Sequence, residues 1–252
     1  MDKTPLKGWN HVPPVPIKVS PFFTWPPRPL EMVGWIWNSW FLITEKLILV
    51  AVAFVSFYWF QPPLAESREF AFDWIAQMYL RNLVLMTAVA GGLHLYFYTF
   101  TKQGQRLRYD PRPLMKAGRQ FTLGGQIRDN MFWTLASGVT VWTAYEVLMF
   151  WALANGYAPM LTFAAHPIHI LFHLQYYALT AATTHTGFEG LLVKDKNRLA
   201  LGTFHHQMHH RYFECNYGSL EIPWDKFFGS FHDGTTEADA RIRERRKRLM
   251  KS

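Results

Sequence analysis

The sequence predicts an all-α polytopic membrane protein with about four transmembrane helices and a cytoplasmic, histidine-rich C-terminal region. Three observations lead there. Half of the 252 residues are apolar and 17% are aromatic, with 11 Trp, 21 Phe and 11 Tyr. That is more ring surface than one soluble core of this size holds, and such rings gather at the two faces of a bilayer. The apolar residues fall in runs near the ~20 residues that a bilayer core demands. Polar segments alternate with those runs, so mean hydropathy is close to zero at −0.06. Charged residues make up only 17%, against about 25% in an average domain, which excludes disorder for most of the chain.

Residues 1–32 are proline-rich (Pro5, Pro13, Pro14, Pro16, Pro21, Pro26, Pro27, Pro29) and read as an extended N-terminal arm. A cleavable signal peptide is not expected, because no basic start leads directly into the apolar run. Residues 33–183 read as the transmembrane region. Its first stretch, 33–60, is interrupted by Asn38, Ser39 and the pair Glu45–Lys46. Either the charged pair faces protein or headgroups, or an interfacial helix precedes a span that starts near Leu47. An acidic loop over 61–73 leads to a second span over 74–100, with Arg81 near its start and His94 toward its end.

The loop at 101–129 carries Lys102, Arg106, Arg108, Arg112, Lys116, Arg119 and Arg128 against Asp110 and Asp129. Such a basic excess marks the cytoplasmic side. Apolar stretches follow at 131–153, with Glu146 inside, and at 166–183, separated by Asn155-Gly156 and Pro159. Four crossings would leave both termini cytoplasmic, beside the basic loop. Residues 184–252 are polar and end in a basic tail, which reads either as a solvated helix or as a contact for lipid headgroups. Gly91-Gly92 reads as close helix packing.

The net charge of +8 is divided among three polar segments rather than gathered in one basic domain, so no nucleic-acid partner is expected. One cysteine, Cys215, excludes an internal disulfide framework and a thiolate metal cluster. The chain has no glycine-rich phosphate loop and no GxSxG.

Eleven histidines remain. The strongest local signal is Phe204-His205-His206-Gln207-Met208-His209-His210. Packing explains four histidines in six residues poorly, because each imidazole needs partners for two nitrogens. On a helix, His206, His209 and His210 share a face and can aim at one metal or a close pair, whereas His205 sits off that face. Imidazole suits Zn, Cu, Fe and Ni. His185, just past the fourth apolar stretch, is a further candidate; capping or interfacial duty is its blander reading. His166, His169 and His173 form HxxHxxxH at the start of that stretch. They read as interfacial or cavity-facing residues rather than as partners of the C-terminal cluster, because 12 residues of helix between His173 and His185 would span about 18 Å. His94, His11 and His232 read as ordinary histidines.

HxxHH at 206–210, followed by Asn216-Tyr217-Gly218, Trp224-Asp225 and Phe228-Gly229-Ser230, resembles the third histidine box and its tail in the fatty acid hydroxylase/sterol desaturase superfamily. His185-Thr186-Gly187 resembles the single histidine that precedes that box. The resemblance covers about residues 166–234; the N-terminal half agrees only in spanning a membrane. It implies a membrane enzyme with a cytoplasmic di-iron centre. Such an enzyme takes electrons from a donor protein and uses O2 to hydroxylate or desaturate a lipid substrate. It further implies His185, His206, His209 and His210 as iron ligands, with Asn216 and Asp225 supporting them.

One departure stands out. The superfamily carries an HxxxH and an HxxHH ahead of the histidine matched by His185. Here no HxxHH precedes His185, and the only HxxxH is His169–His173. The missing part is expected at 163–167. Since those boxes belong to a helical hairpin, its loss would preserve the parity of crossings. Two readings follow: a lipid-oxidising enzyme whose metal site is incomplete, or a non-catalytic relative that holds one metal or serves assembly.

Overall fold

The structure is a computed structural model and describes residues 6–41, 44–157 and 166–249. Its helices are α1 (Pro29–Ile36), α2 (Thr44–Phe60), α3 (Phe72–Met86), the short α4 (Gly92–His94), α5 (Gln126–Trp133), α6 (Val139–Ala154), α7 (Pro167–Thr184), α8 (Phe204–Tyr212), α9 (Trp224–Phe227) and α10 (Thr236–Leu249). Strands β1 (Gly190–Val193) and β2 (Lys196–Ala200) lie between α7 and α8. The chain is therefore mostly helical, as expected, but it is not purely α. The described residues divide into two compact units, one drawn from 47–102 and 112–183 and the other from 1–46, 103–111 and 184–252.

The first unit is a bundle of α2 (from Leu47 onward), α3, α6 and α7. Leu49, Met86, Val139, Trp142 and Leu179, at least one from each helix, form one core cluster. Trp74, Met78, Val147, Phe150 and Leu171 form another. Charge lies inside this bundle. The Arg81 guanidinium donates to Glu146 Oε1 at 2.5 Å and to Gln61 Oε1 at 2.6 Å. Asn82 Nδ2 donates to Glu146 Oε2 at 2.8 Å and to Thr143 Oγ1 at 3.1 Å. The outer surface is apolar instead: Phe54, Tyr58 and Trp59 on α2, Leu80 and Val84 on α3, and Val141, Tyr145 and Leu148 on α6 are all exposed. Polar groups inside and apolar groups outside reverse the arrangement that water selects.

Among the described residues, one helix, Phe72–Thr99, is long and apolar enough to cross a membrane. It runs on from α3 through π-helical turns at Thr87–Gly91 and Leu95–Thr99. The four crossings expected from sequence are not supported. The described α2 has 17 residues, short of the ~20 a bilayer core demands. In the third stretch, 131–153, α6 has 16 residues and buries Glu146 among them. α7 has 18 residues and spends His169, His173 and Gln175 among its apolar ones. Apolar runs in a sequence did not separate spans from partly polar helices of similar length.

The second unit carries the C-terminal histidines. Its core joins Tyr109, Phe204, Met208, Cys215 and Ile242 to Leu6, with Trp9, Val12, Val15 and Ile17 of the arm packed against them. Backbone bonds stitch the arm in place: Ile17 N–H donates to Asp233 O at 2.8 Å and Ser20 N–H to Leu220 O at 2.9 Å. Arg211 stacks its guanidinium 4.3 Å from the Trp9 ring. Gly234, at φ +89°, makes this approach possible, because a Cβ there would lie 2.6 Å from Val15 Cγ1. The antiparallel hairpin β1–β2 turns at Lys194 and Asp195, both at positive φ. Two positive-φ residues between paired strands are the turn geometry whose twist matches that of the strands.

Candidate metal centre

α8 explains why its histidines divide. Thr203 caps its start, the side-chain oxygen accepting from His206 N–H at 3.2 Å. Phe213, at φ +59°, ends it with its N–H bonded to His209 O at 2.7 Å. Phe204, His205 and Met208 are buried on one face. His206, His209 and His210 occupy the other. The His205 ring lies 5.9 Å from that of Phe231, inside the unit and away from the cluster.

His185 reaches the cluster because residues 184–189 are anchored on both sides. Tyr109 N–H donates to Gly187 O at 3.0 Å, and Glu189 N–H donates to Leu107 O at 2.9 Å. On the other side Gly202 N–H donates to Phe188 O at 3.0 Å. Gly202 packs so tightly that a Cβ would stand 2.8 Å from Thr184 O. The result is a convergence of Nε2 atoms. His206 Nε2 lies 3.4 Å from His185 Nε2 and 3.0 Å from His210 Nε2. The ligand atoms of His185, His206 and His210 all lie within 4.8 Å of one another.

His209, also expected as a ligand, stands beside this group and is not a member of it. Its Nδ1 donates to Cys215 O at 2.9 Å. Its ring is 5.2 Å from that of Tyr217. His166 and His173 belong to the helical bundle, with ring partners Phe57 at 5.0 Å and Tyr177 at 4.6 Å. His94 stacks on Tyr98, and His11 Nε2 pairs with Glu189 at 2.8 Å.

Burial and neighbouring imidazoles disfavour protonation of His206 and His210. Burial, reinforced by the neighbouring His185 and His210, pushes His206 down to about 4. Burial, reinforced by His185 and His209, lowers His210 as well. Burial brings His205 down to about 4. Neutral imidazoles offer lone pairs to a cation at physiological pH. Burial also drives the Cys215 thiol up to about 12, so it supplies no thiolate.

The support around α8 comes from two buried residues. Asn216, at φ +56°, donates from Nδ2 to both His205 O and His232 O at 3.1 Å and accepts from His232 N–H at 2.8 Å. Asp225 accepts from Tyr217 N–H at 2.9 Å, Gly218 N–H at 2.8 Å and Ser230 Oγ at 2.6 Å. Burial alone would raise the Asp225 carboxyl, but these three donors outweigh it and hold it below its ordinary value.

The donor set suits one ion better than two. Among the described residues, His185, His206 and His210 form the only group of three or more ligating side chains that converge. Three imidazoles are donors for one ion, and among the described residues no further group converges to hold another. Of the segment expected to be missing ligands, residues 163–165 lie outside the described residues. Neither family models, nor curated proteins, nor solved structures match this chain.

Proposed function

We propose that this protein is a membrane-bound oxidoreductase of the fatty acid hydroxylase/sterol desaturase type, acting with O2 on a lipid C–H bond. The observation that carries the reading is the convergence of three Nε2 atoms on the segments that bear the His185-Thr186-Gly187 and HxxHH motifs. Iron held there would supply the oxidising chemistry, with electrons from a donor protein. The chain's own residues do the rest. Thr203 and Phe213 fix the ends of α8, Gly202 holds the His185 turn close, and burial disfavours protonation of His206 and His210. The apolar outer surface of the bundle and the long helix Phe72–Thr99 support an integral membrane location. The basic excess at 101–129 assigns that segment to the cytoplasmic side.

The test is incubation of purified, iron-loaded protein with lipid, O2 and a reducing partner, followed by mass spectrometry. Gain of one oxygen or loss of two hydrogens in a lipid is expected, and loss of that product in His206→Ala ties it to the cluster. A second reading is a non-catalytic relative that holds a metal for structure or assembly. It is favoured by the lack, among the described residues, of donors for a second ion. Bound metal with no lipid product selects that reading.

A further inference from the structure

The distances within the cluster say how many ions it takes. Metal–imidazole bonds are about 2.0–2.1 Å long. Two imidazole nitrogens on one tetrahedral ion then stand about 3.3 Å apart, and two cis nitrogens on one octahedral ion about 3.0 Å apart. The His206–His185 and His206–His210 separations are 3.4 and 3.0 Å, which are edges of a single coordination polyhedron. Ligands divided between two ions would not need to crowd so closely. The ring of His185 is also set for the purpose, with its other nitrogen, Nδ1, 3.4 Å from the Thr184 hydroxyl.

We propose that His185, His206 and His210 hold one divalent first-row ion through their Nε2 atoms, with His206 the shared vertex and His209 outside the coordination shell. His185 and His210 are exposed, so water completes the shell. Three neutral imidazoles and water are a donor set for zinc or ferrous iron. The inference rests on reading the cluster as a metal site, and it is independent of whether a lipid is oxidised there.

The experiment is metal titration of the full-length protein in detergent after stripping with a chelator. Cobalt(II) serves as the visible probe, and zinc and iron are counted by elemental analysis. One ion per chain is expected, with cobalt d–d bands that saturate at one equivalent. His206→Ala should weaken binding about 100-fold or more, whereas His209→Ala should keep one ion with less than about tenfold loss. His185→Ala is the second variant. It lies off α8, and circular dichroism matching metal-free wild type shows that its loss of metal is not loss of fold. Two ions per chain, or a loss in His209→Ala equal to that in His206→Ala, overturns the inference. One ion without lipid oxidation supports it and ends the oxidase reading; two ions with lipid oxidation does the reverse.

Discussion

Asp225 shows how much of the site depends on one side chain that touches no metal ligand. Its two oxygens satisfy two backbone N–H groups and a serine hydroxyl in a buried turn. Asp225→Ala strands all three donors and should cost ~3 kcal/mol of stability, measured as the shift in a denaturation midpoint. Asp225→Asn, which keeps an accepting oxygen, should cost about half as much. The buried imidazoles make a separate prediction. His205 and His206 fall from 6.5 to about 4 on folding. The unfolded chain therefore binds more protons than the folded one between those values, and stability falls as pH drops from about 6.5 to 4. Above pH 6.5 this contribution is complete. His205→Leu should flatten part of that slope in thermal unfolding between pH 4 and 6.5, while leaving the pH dependence above 7 as in the wild type.

At the scale of elements, the site is a helix face held against a turn. α8 has nine residues and relies on its caps. Thr203→Ala removes the side-chain acceptor for His206 N–H and should cost about 1 kcal/mol. Gly202 controls the other half. Its Cβ position meets two backbone carbonyls, Thr184 O at 2.8 Å and Phe188 O at 3.2 Å, and neither can swing aside as a side chain would. Gly202→Ala should therefore separate the His185 turn from the α8 face. The expected outcome is ~1–3 kcal/mol of destabilisation with weaker cobalt binding, read by absorption. A variant that binds cobalt as tightly as wild type would show that the turn does not set the cluster.

For the whole molecule, the bundle inverts the usual distribution of polarity, and its buried pair is the place to test it. The Arg81 and Glu146 side chains are 4% and 0% exposed, and both make several hydrogen bonds. Removing one partner leaves a buried charge alone. Arg81→Met or Glu146→Leu should each cost about 3–5 kcal/mol. The double variant should recover most of that loss, because an apolar pair of similar volume replaces the ionic one. Thermal unfolding in detergent measures the cycle. A double variant as unstable as the sum of the singles would mean that the network, not the pair, holds these helices together.

The sequence was informative wherever chemistry is local. His206, His209 and His210 are legible as one helix face because the period of a helix is fixed, and His205 is legible as the exception for the same reason. The predominance of helix follows from the long apolar runs. The β1–β2 hairpin was missed. Its signal was the Lys194-Asp195 turn between short apolar runs, and the highly polar surroundings obscured it. The number of spans was not legible either, since a run of apolar residues does not disclose where a helix breaks or how much of it faces protein.

What the sequence alone determined, then, is a helical, aromatic-rich chain with a histidine cluster of metal-binding type. Only the tertiary structure decided which imidazoles meet. His185 lies 21 residues before His206, and no periodicity links a turn to a helix. Their approach depends on carbonyls, a glycine without a Cβ and backbone bonds to residues 107–109. His209, by contrast, has the spacing of a ligand, yet it stands outside the converging group, with its Nδ1 bonded to Cys215 O. Helical spacing fixes the face a side chain occupies; the partners of its second nitrogen decide where it points.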